Sequence, residues 1–371
     1  MVIELSNITF TEQDDIVPAS GEEIIVNTGI ANTLAGNDRI TGDTTNSISG
    51  ETNGIYNSGT LNTDDGKDII TGISTTVPID SSPNNGWGID NETGIIETGE
   101  GNDIITGVGR RGGIISVYGT IDTGDDNDTI TGVSTTGIVG RRSGGIVLSN
   151  STLNTGKGND VIIGTLENLT GWGIYNHQSI FTTGDGNDII IGDSTHSTTN
   201  ALGIFNTGSI DTGDGKDKIT GTGNNNSGIT NYGTIHTGDG SDIITGTSTT
   251  EGGYGIYNQG IINTGNGNDS IIANGGFESA PNSSGTWFLG EGKDYINGYG
   301  SGDFYGGNGN DTLELTPGTY TVGIWGEGWD TSVIFTKDNQ LMITSEFEKL
   351  KAGSTIYDFS SLTAGQIIVV A

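Results

Sequence analysis

The sequence predicts an all-β fold, a right-handed parallel β-helix of about eleven coils with β caps at its N- and C-terminal ends. Three observations carry that expectation. A turn of the form Gly-x-Asp, Asp-x-Asp in one copy, comes round eleven times, at Asp38, Asp68, Asp103, Asp128, Asp160, Asp188, Asp217, Asp242, Asp269, Asp294 and Asp311. Most copies lie 25 to 35 residues apart, the length of one coil in a repeat architecture. Aliphatic residues recur at fixed offsets from the Asp, and no single coil can bury them alone, so the coils must stack.

The chain divides into a cap over 1–32, the β-helix over 33–315 and a second cap over 316–371. The first cap opens on the apolar Val2-Ile3-Glu4-Leu5. Within the helix, an internal pattern precedes many turns, as in Gly54-Ile55-Tyr56-Asn57, Gly173-Ile174-Tyr175-Asn176 and Gly255-Ile256-Tyr257-Asn258. Seven residues before the Asp stands Leu61, Ile96, Ile121, Leu153, Phe181, Ile210, Ile235 or Ile262, and two residues after it an aliphatic residue in every copy. Three apolar positions per coil facing one interior imply three short strands. Arg39, Thr129, Lys218 and Tyr295, just after the Asp, suit an outward strand position. The stacked Asn residues are expected to bond along the axis, and Thr63, Thr98, Thr123, Thr155, Thr183, Thr212, Thr237 and Thr264 to pack a corner. In the second cap, Ser332-Val333-Ile334-Phe335, Leu341-Met342-Ile343 and Ile367-Ile368-Val369-Val370 have strand length and turn residues between them.

Sixty-seven glycines and 31% hydrophobic residues would suggest disorder in an unpatterned chain, but here both recur in register. The net charge of −33 argues against nucleic acid and anionic membranes as partners and points to cations. With no cysteine there is neither a disulfide framework nor a thiolate metal site. No basic segment with an apolar run opens the sequence as a secretory signal would, and no stretch has the length and hydropathy of a membrane span.

Stacked at strand spacing, the Asp carboxylates lie about 5 Å apart. Each neighbouring pair then repels by ~1 kcal/mol at the dielectric of water and ~3 kcal/mol at an effective dielectric near 20. Summed over the column, this rivals the ~5 to 15 kcal/mol of net stability of a domain, so a positive charge is expected between levels. Lys67, Lys216 and Lys293 occur in only some copies. A hard divalent cation fits every copy, because carboxylates and the carbonyls of a Gly-rich turn are the oxygen ligands calcium takes.

Turns such as Gly238-Asp239-Gly240-Ser241-Asp242-Ile243-Ile244 and, nearest to the pattern, Gly306-Gly307-Asn308-Gly309-Asn310-Asp311-Thr312-Leu313 resemble the hemolysin-type calcium-binding nonapeptide of RTX proteins. The resemblance covers about residues 33 to 315 and implies that the eleven Asp carboxylates, with turn carbonyls, bind calcium between levels. Departures are plain: one turn occurs per long coil where the family repeats about every nine residues, and Thr mostly replaces the first glycine. Calcium is therefore expected on one edge only, and the copies at Leu34-Ala35, Asp64-Asp65 and Asp126 are the weakest. The resemblance also implies type I secretion directed by the C-terminal part, and hence an extracellular or cell-surface location.

A structural or interaction element of the bacterial cell surface, such as a fibril, sheath or surface-layer subunit capable of self-association, follows as the expected role. The alternatives are a calcium-dependent adhesin for a glycan or another cell, and a polysaccharide-active β-helix enzyme. No cluster of acids and bases breaks the repeat on one face, which disfavours the enzyme. His177, His196 and His236 have no recurring partner to hold zinc. Arg110-Arg111 and Arg141-Arg142 read either as solvated loops or as a docking spot for an acidic neighbour or an anionic surface polysaccharide.

Overall fold

The computed structural model describes residues 2–18, 24–44, 53–74, 86–135, 143–167, 170–197, 201–277, 285–326 and 331–371. The chain is a parallel β-solenoid. One coil shows the build: Trp172–His177 enters a first sheet, Ile180–Thr182 a second and Ile189–Asp193 a third, before Leu202–Asn206 begins the next coil beside Trp172–His177. β-branched residues at alternate positions suit this pleated, half-buried surface. Register is strict, with Ile105, Ile130, Ile162 and Ile190 each opposite the next, so every inward side chain sits on its counterpart.

The three apolar columns merge into one interior, represented by Ile174, Phe181 and Ile190, all fully buried. The first and third sheets pack closely because glycines meet at their contact. A Cβ on Gly132 would lie 2.1 Å from the carbonyl oxygen of Gly145. Between the second and third sheets the chain makes the Asp turn. At its first corner position the backbone is left-handed in every copy, including those without glycine: Leu34 has φ 66° and Asp64 φ 60°, beside 85° for Gly124 and 80° for Gly184.

The expectation of three strands per coil needs one correction. Among the described residues the first sheet ends at Ile256–Asn258, and the last two coils contribute Thr286–Phe288 with Tyr295–Asn297 and Gly302–Tyr305 with Thr312–Leu315 to the second and third sheets. Only 17 residues separate Asp294 from Asp311, too few for a third strand. Phe277, packed edge-on against Trp287 at 4.8 Å and tilted against Phe304 at 5.1 Å, fills the space instead. Here the turns themselves pair in a small parallel sheet, Asp239–Gly240, Asn266–Gly267, Glu291–Gly292 and Asn308–Gly309.

At the N-terminal end, Val2–Glu4 and Ile16–Val17 pair onto the first and third sheets while Leu5, Phe10 and Val17 cover the interior. At the other end, Gly318–Trp325, Ser332–Lys337, Gln340–Ser345 and Ile367–Val370 extend the second sheet, and Lys349–Ala352 with Thr355–Asp358 the third. The three apolar segments expected there as strands are strands. Among the described residues, no helix is long and apolar enough to cross a membrane.

Candidate functional site

All eleven turn Asp side chains point into the solenoid and are buried, none more than 2% exposed. The turn places them there because its left-handed corner folds the loop back just before the third-sheet strand begins. Each carboxylate also has a partner that charge counting alone overlooks. Oδ1 accepts the backbone N–H of the equivalent Asp one coil earlier: Asp38 to Asp68, Asp103 to Asp128, Asp188 to Asp217 and Asp269 to Asp294, at 2.7 to 2.8 Å. The same bond joins every intervening pair, at 2.7 to 2.9 Å. The column is thus a hydrogen-bonded ladder as well as a row of charges.

Its two ends are finished by residues outside the repeat. Asp15 donates its N–H to Asp38 Oδ1 at 2.7 Å, and Asp311 donates to Glu348 Oε2 at 2.7 Å. Neither residue was legible as part of the site, since no Gly-x-Asp turn marks it.

The second oxygen is different. Thr155 and Thr212 donate to Oδ2 of Asp160 and Asp217 at 2.6 and 2.7 Å. On the other nine Asp residues Oδ2 is buried without a well-formed hydrogen bond, although at Asp38, Asp68, Asp103, Asp128, Asp188, Asp242 and Asp269 the corner threonine hydroxyl stands beside the carboxylate and opposes the rise in its pKa. The threonines expected as corner packing do line this corner, and their hydroxyls bond the carbonyl of the next coil's corner residue, as Thr98 does with Thr123 and Thr264 with Leu289.

Burial pushes every one of these carboxyls above the ordinary Asp value, to about 6 at Asp103, Asp217 and Asp311, about 7 at Asp68, Asp188, Asp269 and Asp294, and about 8 at Asp128. Asp38, Asp160 and Asp242 move the same way for the same cause. Neighbouring carboxylates add to the rise at Asp128 and Asp188, while the backbone N–H bond and the adjacent threonine hydroxyl oppose it.

Toward a hard cation the column would offer Oδ2, one buried carboxylate oxygen per coil with at most a threonine hydroxyl as partner. Among the described residues no three His, Cys, Asp or Glu side chains converge on one point. Backbone carbonyls of the turn would therefore have to complete any shell. On the outer side of the turn, Asp65, Glu100, Asp125, Asp185, Asp214 and Asp239 are exposed acids.

The expected Asn ladder is present in two runs, Asn27 to Asn57 to Asn91 and Asn176 to Asn206 to Asn231 to Asn258, each Nδ2 donating to the next Oδ1 at 2.7 to 2.8 Å. Ser116 and Leu148 occupy the column between the runs. Arg111 is buried, not solvated, and Arg141 and Arg142 lie outside the described residues.

Fold and site together define a parallel β-solenoid with an internal carboxylate ladder. No protein-family model matches the chain, and no curated protein matches its sequence.

Proposed function

We propose that the protein is a non-catalytic structural or interaction rod of the bacterial cell surface, exported there and held rigid by calcium at the Asp turns. The observation that carries the reading is the column of eleven buried carboxylates along one edge of the solenoid, whose Oδ2 atoms have, among the described residues, at most a threonine hydroxyl for a partner and no cationic side chain. A buried carboxylate oxygen poorly satisfied is costly, and repetition along the column multiplies the cost. Calcium would supply the missing positive charge. Asp38, Asp68, Asp103, Asp128, Asp188, Asp242, Asp269, Asp294 and Asp311 would offer Oδ2 to it, and turn carbonyls the remaining oxygens. The resemblance of the turns to the hemolysin-type repeat supports the same assignment, and a solenoid of continuous sheets suits a spacer or a self-associating subunit.

Circular dichroism and thermal melting at pH 8, with millimolar calcium and then excess chelator, test the calcium part. The strand spectrum is expected to be lost, or the melting temperature to fall steeply, on chelation and to return with calcium. An unchanged spectrum and melting temperature in chelator would remove calcium from the proposal.

A further inference from the structure

The outer face of the first sheet carries a continuous aromatic strip. The position between Ile and Asn of the Gly-Ile-x-Asn pattern points outward, and on successive coils it holds Tyr175, Phe205, Thr230 and Tyr257 in register. Tyr175 and Phe205 stack at 5.3 Å with 8° between planes. Tyr232, two residues beyond Thr230, closes the gap, 5.7 Å from Phe205 and 5.7 Å from Tyr257. Trp172 packs on Tyr175 at 4.3 Å. The strip thus spans four coils.

Two properties distinguish it from core. Its rings are half-buried, Tyr175 packing at one end against the buried Trp87, Ile115, Val117 and Val147, and Tyr232 is 46% exposed, tilted 56° and 53° from its neighbours. It is also uncharged. The strands Trp172–His177, Leu202–Asn206, Ile229–Asn231 and Ile256–Asn258 hold no Asp, Glu, Lys or Arg, in a chain with 46 acidic residues and a net charge of −33. Exposed aromatic surface rimmed by polar groups marks an interaction site. Polar groups stand along this rim: Gln259 Nε2 donates to Tyr257 Oη at 2.6 Å, and His177 Nδ1 lies 3.0 Å from Thr207 Oγ1.

We propose that this strip binds a neutral polysaccharide, its pyranose rings lying along the solenoid axis. The charge pattern selects that occupant. An anionic polymer meets the repulsion of the whole chain, as does a second copy laid side by side, whereas an uncharged polymer meets neither. Its chemistry matches too: sugar C–H faces are apolar and pack on aromatic rings, while the hydroxyl edges need donors and acceptors of the kind Tyr, Thr, His and Gln supply. Tyr232, the most exposed ring of the strip, offers a face to a sugar unit, while Tyr175 and Phe205, stacked on each other at 5.3 Å, present their edges beside it. The inference goes beyond the structural role proposed above and does not depend on calcium occupying the turns.

The test uses the full chain in calcium, with its strand spectrum recorded first, so that loss of fold is not mistaken for loss of binding. Retention on insoluble cellulose, and titration with cellohexaose followed by tryptophan fluorescence, are the readouts, with polygalacturonate as the anionic comparison. Binding to the neutral glucan is expected, at least tenfold weaker in Tyr232→Ala and abolished in Phe205→Ser/Tyr232→Ser, with the fluorescence change lost in Trp172→Phe. Tyr232→Ala alters only a surface side chain and keeps the test meaningful if the double variant does not fold. No binding to cellulose or to a panel of other neutral glycans overturns the proposal. So does binding unaffected by these variants, a preference for polygalacturonate, or concentration-dependent association by light scattering that Tyr232→Ala abolishes in place of glycan binding.

Discussion

Glu348 Oε2 holds the backbone N–H of Asp311 at 2.7 Å, doing on the last coil what an Asp carboxylate does for each coil before it. The bond ties the C-terminal segment to the repeat, since the N–H of Lys349 in turn donates to the carbonyl of Asp311 at 2.9 Å. Glu348→Ala leaves a buried N–H without its acceptor and is expected to destabilise by about 1 to 3 kcal/mol. Glu348→Gln keeps an acceptor oxygen and should lose less than half of that. Equal losses in urea denaturation would refute the capping role.

The raised carboxyls fix the sign of the pH dependence. Because the folded chain holds its Asp protons up to about 6, 7 or 8 and the unfolded chain only to near 3.8, the folded state binds more protons between those limits. Their contribution is full below the unfolded value and is lost as pH rises through the folded ones. In calcium-free buffer the melting temperature should therefore fall from pH 4 to pH 8.5. Calcium affinity should rise across the same range, since the ligand is the deprotonated carboxylate. A calcium-free melting temperature that is flat or rising would contradict the burial argument.

Charge and hydrogen bonding at the column separate in two substitutions. Asp188→Asn keeps an oxygen for the N–H of Asp160, 2.9 Å away, and removes the charge. Without calcium at pH 8 it is expected to be more stable than the parent, and with calcium to bind fewer ions per chain. Asp188→Ala orphans the N–H and should cost about 1 to 3 kcal/mol in either condition. Chelator melts and calcium titration calorimetry distinguish the two, and an Asn variant as unstable as the Ala variant would show that charge does not limit the calcium-free fold.

Two backbone positions predict opposite outcomes. A Cβ on Gly215 would sit 1.3 Å from the carbonyl oxygen of Gly186, so Gly215→Ala must push two coils apart and should cost more than ~4 kcal/mol. Asp126 stands at φ 88° where the other copies have glycine. Asp126→Gly should stabilise by roughly 1 kcal/mol, by relief of strain and of its repulsion on Asp103. Thermal melts of both variants check the pair.

Much of this molecule is written in periodicity. Ile105 and Ile130, or Asn206 and Asn231, announce their columns because identical neighbours must occupy identical environments, and the same logic stacks the Asp residues without showing that they are buried. What periodicity hid was the second partner in each contact. The N–H that Asp217 Oδ1 accepts belongs to the backbone, which no composition or spacing displays. Glu348 was invisible because it lies outside the repeat. The missing first-sheet strand before Asp311 was implied by the 17-residue interval, yet the turn's persistence there suggested a full coil. The aromatic strip escaped because its positions alternate with Thr230 and borrow Tyr232 from a neighbouring offset, so no single column spells it.

The Asp ladder makes the same bond whether the coil between two turns is 17 or 35 residues long. Contour and rise are therefore uncoupled: the axial step is set by backbone pairing, while the girth and decoration of each level are set by the chain between turns. A gene encoding such a chain can gain or lose a level by unequal duplication without redesigning its neighbours, because an incoming Asp finds the same amide waiting. Reach and surface chemistry can then evolve separately in one molecule.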